Sequence, residues 1–562
     1  MATNSQSIVR TLLLISLFFA QIKVSLGQSD DSENTENFSQ ESAVVKTQQF
    51  MVVTSDRRAS VAAHKILNDG GSAADAAIAA QLVLGLTEPH ASGLGGGAFV
   101  LYYDKNKKKL ITLDARETAP QSADENLFRD SAGQIMDFNI ARSSGKSVGI
   151  PGTPALLGKL HNEYGKLSMS DLIRPARKLA LNGFVPSNAL KKAIIRNKEN
   201  LMNSDNTKNY FLDTHFIKNP HYAKSLDSLA KHGYESFYRN PMSTNIISTV
   251  NTNGGDIQQN DFDNYKVIRR DPVCDDFFEY KVCSMGEPSS GAITMLQILK
   301  IFEYSPTWHT YIEASKLAFA DRNYYIADSD FVDTPGTKLL ADEYIKNRYQ
   351  QIGNEILHNP SHGLVSMKYQ NNVNGLGPEE RGTTHVSIVD MEGNILSMTS
   401  TIESSFGSRL MSNGYLLNNE LTDFSFLAYD KNRSVANRVQ AGKRPRSSMT
   451  PTIVFKKSDG SPVLVLGSAG GSRIIGHVTQ RLIDILYYKN TLKDAIYASH
   501  LLSQGSVIES EGMTNVTRSL ERKGHKIEVK NLLSALNGIH FDDDNVIVGV
   551  SDPRREGLAI GR

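Results

Sequence analysis

The sequence predicts an α+β fold, and three features carry that expectation. Alanine-rich stretches of helical pattern run from Arg57 to about Leu84. The stretch from about 155 to 350 reads mostly helical, with one strand pair around 267–285. From Thr383 onward the chain is rich in short segments alternating at the two-residue period of half-buried strands.

Taken in order, residues 1–27 read as a secretory signal. Arg10 is the positive flank, "TLLLISLFFA" the apolar core, and Ser25 and Gly27 the small residues before cleavage. A helix of ten residues rises only about 15 Å, roughly half the hydrocarbon thickness of a bilayer, so no stable membrane anchor is expected. The sequons at Asn37, Asn432 and Asn515 fit a secreted, extracellular glycoprotein. Residues 28–45 read as a disordered acidic leader. The charges nearly cancel, at 61 Lys+Arg against 60 Asp+Glu, and no basic run stands out, which argues against nucleic acid.

The helix from Arg57 is expected to end at "NDGG", and "SAAD" (Ser72 to Asp75) is a capping box opening the next helix. "EPHASGLGGGAFVLYYD" contains G-x-G-x-x-A from Gly93 to Ala98. The dinucleotide reading fails because a helix precedes and a strand follows, so the glycines are expected to admit close backbone approach. Cys274 and Cys283 flank a turn near Glu279; a disulfide is the expectation in an oxidising compartment, two free thiols the alternative.

"THVSIV" and "NILSMTST" flank "DMEG" as a hairpin. A turn centred on Met391 and Glu392 makes paired residue numbers sum to 783 or 784, which sets Thr383 opposite Ser400 or Thr401. Opposed Cβ atoms lie about 5 Å apart, so two hydroxyls are expected to meet. "PVLVLGSAGGSRIIGHV" reads as strand, glycine turn and helix. Gly470 and Gly471 leave N–H groups free for developing negative charge, and Ser472 can cap the helix. "KRPRSSMTPT" holds Ser447 and Ser448 in a proline-bounded loop. Glu420 and Asp423 lie three apart in "LLNNELTDFS".

Together with "DARETAP", "VGIPGTPA", "AFADR" and "TSTIESSFG", these stretches resemble the γ-glutamyltransferase (γ-glutamyl transpeptidase, glutathione hydrolase) family of N-terminal nucleophile hydrolases, over about residues 47–562. The resemblance implies a four-layer αββα sandwich, two stacked, mainly antiparallel sheets between helices. It implies a proenzyme that cuts itself at Gly382–Thr383 into a large chain (46–382) and a small chain (383–562), which stay together as an interlocked heterodimer. Thr383 would be the nucleophile and its own α-amino group the base; Thr401 would orient it, and Gly470 and Gly471 would form the oxyanion hole. Arg116, Ser447 and Ser448 would hold the α-carboxylate of a γ-glutamyl donor such as glutathione, and Glu420 and Asp423 its α-ammonium. The acceptor would be water, an amino acid or a dipeptide, with no metal or cofactor.

Two departures bear on specificity. Glu403 stands where transfer-active relatives have asparagine, adding a third carboxyl that either binds an ammonium or stays protonated. The segment from Asp423 to Ser447 is short for a lid, which favours hydrolysis. The alternatives are a glutaryl-type acylase, which the two carboxylates disfavour, and a catalytically weak or inactive secreted relative acting as a toxin, as in a venom, or as a binding protein.

Overall fold

A computed structural model describes residues 44–562, except 203–204, 212–214, 367, 369–371, 374–381, 432 and 543–545. The signal segment, nearly all of the leader, Asn37, Asn432 and most of the loop before Gly382 lie outside the described residues.

Two seven-stranded sheets stack at the centre. The first runs, edge to edge, Val44–Thr47, Ile547–Ser551, Asn537–Phe541, Pro462–Gly467, Thr452–Lys456, Tyr280–Ser284 and Val273–Phe277. The second runs Leu558–Gly561, Met51–Thr54, Thr384–Val389, Ile395–Thr401, Gly97–Asp104, Lys109–Ala115 and Ile268–Arg270. Every neighbouring pair in both is antiparallel.

The layering follows from the alternation of side chains along a strand. On the second sheet Val52, Val100, Val386, Ile388, Leu396 and Met398 point outward and pack on the helices Arg57–Asn68 and Ala73–Thr87. Met51, Val53, Phe99, Leu101, Val389 and Ile395 belong instead to the core shared with the first sheet and with the helices Gly291–Tyr304, Trp308–Tyr325 and Arg473–Leu482. A one-residue register slip would exchange these two sets, so both apolar cores specify the pairing. The helix Ala73–Thr87 is buried along its whole length, as its alanine-rich, all-round apolar sequence requires.

The local expectations meet the structure as follows. The capping box at Ser72 and Asp75 forms, and its helix runs to Thr87, three residues beyond the expected end. The central hairpin pairs Ser400 with Thr384, a sum of 784, and turns through Asp390–Asn394. Cys274 and Cys283 face each other across Val273–Phe277 and Tyr280–Ser284 and are joined as a disulfide. Ser472 corrects its expectation: it precedes the helix Arg473–Leu482 but its side chain makes no cap bond, and its hydroxyl turns to Gln504 instead. Its backbone is already helical, at φ −60° and ψ −22°, which points the hydroxyl away from the following N–H groups.

Strands from both sides of the 382–383 junction interleave. Thr384–Val389 lies between Met51–Thr54 and Ile395–Thr401, which in turn pairs with Gly97–Asp104. Neither segment keeps a whole sheet without the other. Among the described residues no helix is long and apolar enough to cross a membrane.

Candidate active site

Thr383 sits one residue before its strand, and the hairpin register carries Thr401 to it. The two hydroxyl oxygens are 3.4 Å apart. Thr383 Oγ1 also lies against the carbonyl oxygen of Gly382, the residue before it. Thr401 Oγ1 donates to that same carbonyl at 2.9 Å and accepts from the Glu403 N–H at 2.8 Å. The Glu403 carbonyl in turn accepts from the Gly382 N–H at 2.8 Å. Glu403 does this from the left-handed region, at φ 73°. That turn lets one residue grip Thr401 with its N–H and Gly382 with its C=O.

The glycine run explains why Thr401 can sit so deep. A Cβ on Gly96 would come within 2.0 Å of the Thr401 carbonyl oxygen, and one on Gly95 within 2.1 Å of the Leu416 carbonyl oxygen. The run therefore serves close backbone approach between Gly97–Asp104 and the segments carrying Thr401 and Glu420.

Arg116 follows the strand Lys109–Ala115 and is almost wholly buried. Its two terminal nitrogens pair with Glu420 and Asp423, while its remaining donors reach the carbonyls of Pro445, at 3.1 Å, and Arg446, at 2.9 Å. Glu403 joins this group through Asn419, whose Nδ2 donates to Glu403 Oε2. Glu117, next to Arg116, is also buried. One guanidinium thus pairs with two carboxyl groups in a buried site, and two further carboxyls, Glu117 and Glu403, lie beside them. Burial is the main force lifting the Glu420 carboxyl well above the usual range; Arg116 opposes it, and repulsion from Glu117 and Asp423 adds to it. Burial, then repulsion from Asp423 and Glu420, does the same to Glu403. Burial pushes Glu117 up to about 7. Glu420 Oε2 and both Glu117 oxygens are buried without a hydrogen-bond partner among the described residues. Burial and the neighbouring carboxyls thus favour the neutral acid form of Glu403 over a third negative charge.

Ser447 and Ser448 border the same site, next to the Arg446 carbonyl that Arg116 holds. Ser447 Oγ accepts from the Met449 N–H at 3.1 Å, and Ser448 Oγ from Arg322 Nη2 at 2.6 Å. Each hydroxyl accepts one hydrogen bond from the scaffold, which orients it and leaves its hydrogen to donate. Gly470 and Gly471 both take positive φ, 128° and 61°. Neither donates its N–H to an acceptor among the described residues. This loop follows the strand Pro462–Gly467, and a Cβ on Gly467 would strike the ring of His385, two residues past Thr383.

His385, conspicuous beside two threonines, is held by Thr399 Oγ1 at 2.8 Å and Ser387 Oγ at 3.1 Å. Burial lowers its pKa to about 3, so it is a neutral member of the space between the sheets. Sequence reasoning missed Glu117 and Asn419. Both adjoin residues that it did single out, and what marks them is burial beside an ion pair, which no spacing signals.

A family model described as gamma-glutamyltranspeptidase matches residues 59–562. The glutathione hydrolase proenzyme of Bacillus subtilis (strain 168) is 35% identical over 91% of this chain and 91% of that protein. Scoloptoxin SSD14 of Scolopendra dehaani is 29% identical over 89% of this chain and 90% of its own length. Among solved structures, the cephalosporin acylase of Bacillus halodurans superposes with a TM-score of 0.80 at 25% identity, covering 95% of this chain and 99% of that one. With this fold, this ordered set of matching segments and this extent of similarity, the chain belongs to the γ-glutamyltranspeptidase family.

Proposed function

We propose that this chain is a secreted proenzyme that severs its own Gly382–Thr383 bond and then uses Thr383 to cleave γ-glutamyl amides such as glutathione. The observation that carries the reading is the Thr383 hydroxyl set against the carbonyl of the preceding residue, with Thr401 donating to the same oxygen at 2.9 Å. Addition of Thr383 Oγ1 to the Gly382 carbonyl carbon puts negative charge on an oxygen that already has a donor. Collapse expels the Thr383 nitrogen and leaves an ester, which water hydrolyses. The two products, 46–382 and 383–562, remain interleaved through the second sheet.

Cleavage frees the α-amino group of Thr383, with an ordinary pKa of about 8, to take the proton of its own hydroxyl. In turnover Thr383 Oγ1 attacks the γ-amide of the donor. The N–H groups of Gly470 and Gly471 receive the oxyanion, the amine departs with a proton, and a γ-glutamyl ester remains for water or an acceptor amine. Arg116, Ser447 and Ser448 hold the α-carboxylate, and Glu420 and Asp423 the α-ammonium. With no substrate, Arg116 is already neutralised by those two acids. A zwitterionic α-amino acid end can exchange into that pairing without changing its net charge.

This last point favours a γ-glutamyl over a glutaryl substrate, even though the Bacillus halodurans neighbour is named a cephalosporin acylase. A glutaryl group brings only a carboxylate and leaves Glu420 and Asp423 with no cation in exchange. The short Asp423–Ser447 segment favours hydrolysis, so the transfer-to-hydrolysis ratio at saturating glycylglycine is expected to stay below one. Scoloptoxin SSD14 motivates the toxin alternative, but here Thr383, Thr401, Arg116 and both acids are all present. The deciding experiment is a denaturing gel of the purified protein beside Thr383→Ala, with N-terminal sequencing of each band. A small chain beginning at Thr383 in wild type only supports the reading. An intact wild type overturns it and favours a non-enzymatic role. Glycosidase treatment of the secreted protein tests Asn37, Asn432 and Asn515 in the same experiment.

A further inference from the structure

Away from the threonine site, three side chains able to bind a metal converge in the interior. His309 and Glu313 are four apart on the helix Trp308–Tyr325 and so share one face. His525 comes from the far side of the 382–383 junction, between the helix Asn515–Arg522 and the strand Lys526–Val529. All three are buried. His309 Nδ1 is 3.0 Å from His525 Nε2, which is 3.7 Å from Glu313 Oε1. The three ligand atoms lie within 4.8 Å of one another. In a tetrahedral zinc site, with bonds of about 2.0–2.2 Å to His and Glu, ligand atoms are about 3.4 Å apart. Two of these separations bracket that value.

The surroundings orient the ligands. His309 Nε2 is 3.1 Å from the Gly353 carbonyl oxygen. An N–H donated there leaves the Nδ1 lone pair turned toward His525, the outer-partner arrangement that metal-bound histidines show. Glu313 Oε2 accepts from the Leu357 N–H at 2.8 Å, which directs Oε1 inward. Lys316 Nζ, 2.7 Å from Oε1, is the cation that balances Glu313 without an ion, and it competes with one. A surface groove of about 670 Å³, lined by His309, Gly353, Leu520 and Lys523 among others, reaches the cluster and offers a way in.

We infer that His309, Glu313 and His525 form a binding site for one divalent ion of the zinc type. Two imidazoles and a carboxylate suit zinc rather than the all-oxygen preference of calcium or magnesium. The ion would replace the hydrogen bond between the two rings and keep one position for water. It would also tie residues 308–325 to residue 525, a cross-link between the two chains that the proposed cleavage makes. The expectation of no metal came from the reaction that the family resemblance implies, which needs none. His309 and His525 are 216 residues apart, so no spacing exposes the pair.

The test is titration of the metal-stripped full chain with zinc by calorimetry and with cobalt(II) by visible absorption. Wild type and Thr383→Ala are run side by side, so that the site is judged apart from cleavage. The expected result is one equivalent bound with equal affinity in both, and intense visible bands of tetrahedral cobalt. His525→Ala is expected to weaken binding by more than the ~10–100-fold that losing an outer partner costs. Lys316→Met is expected to tighten it. If His525→Ala does not fold, as judged by circular dichroism, the wild-type cobalt spectrum and Lys316→Met decide the matter. No binding, weak octahedral bands, or an unchanged affinity in a folded His525→Ala overturns the inference.

Discussion

Replacing Thr401 by valine keeps the shape of the side chain and deletes the hydroxyl that donates to the Gly382 carbonyl at 2.9 Å. Two effects separate. The Glu403 N–H, which gives its hydrogen bond to that hydroxyl at 2.8 Å, is left unpaired in a buried place, costing about 1–3 kcal/mol of stability. The barrier to self-cleavage loses a donor aimed at the developing oxyanion, an effect worth roughly 2.7–4 kcal/mol where such donors have been removed. Thr401 already bonds the carbonyl before reaction, and only the strengthening in the transition state counts toward rate. The lower end of that range is therefore expected, a slowing of about 100-fold. The assay follows the precursor band with time on a denaturing gel, with a denaturant midpoint reporting stability. Thr401→Ser restores the hydroxyl and is expected to cleave within a few-fold of wild type. A Thr401→Val protein that cleaves as fast as wild type, or a Thr401→Ser protein as slow as the valine variant, would refute a role for the hydroxyl.

Other outcomes follow from the same structure. Gly96→Ala drives a Cβ against the Thr401 carbonyl oxygen; it is expected to destabilise by about 1–3 kcal/mol and to slow cleavage, read from urea unfolding and the gel. Glu403→Asn keeps the left-handed turn with a residue that tolerates it better, so a gain of up to ~1 kcal/mol is expected; a loss of stability would mean that the Glu403 acid is needed on Asn419. Glu117 has its folded pKa raised from 4.5 to about 7, so the stability that its proton contributes is complete below about pH 4.5 and is lost as pH rises to about 7. Urea midpoints measured across that window are expected to fall with pH in wild type and to fall less in Glu117→Gln; equal slopes would refute the buried proton. Reducing the Cys274–Cys283 bond, whose sequence separation is 9, is expected to cost about 2–3 kcal/mol and to lower the melting temperature while leaving the γ-glutamyl assay intact, since it lies in an edge hairpin.

Local chemistry was legible in the chain. The capping box at Ser72, the turn at Asp390–Gly393 and the resulting register depend on neighbours within a few residues. The two-residue alternation alone brings Thr401 to Thr383. The ordered motifs then carried the resemblance to the family, and with it the sandwich of two sheets. Ser472 shows the limit even at short range: the strand-to-helix turn had already set its backbone, and its hydroxyl found a partner 32 residues away.

What the sequence by itself determined was therefore the elements, the pairing of the central hairpin and the hydroxyl that meets Thr383. Only the tertiary structure decided the charge states at the site. Whether Glu403 is an anion or an acid depends on how much water is excluded and on which carboxyls share Arg116, quantities summed over segments some 300 residues apart. The same holds for His385, whose neutral role comes from the first sheet closing over it, and for His309 and His525, which only the packing of a helix against a distant turn brings together. Burial and electrostatics are properties of assembled neighbours, and no window of sequence contains them.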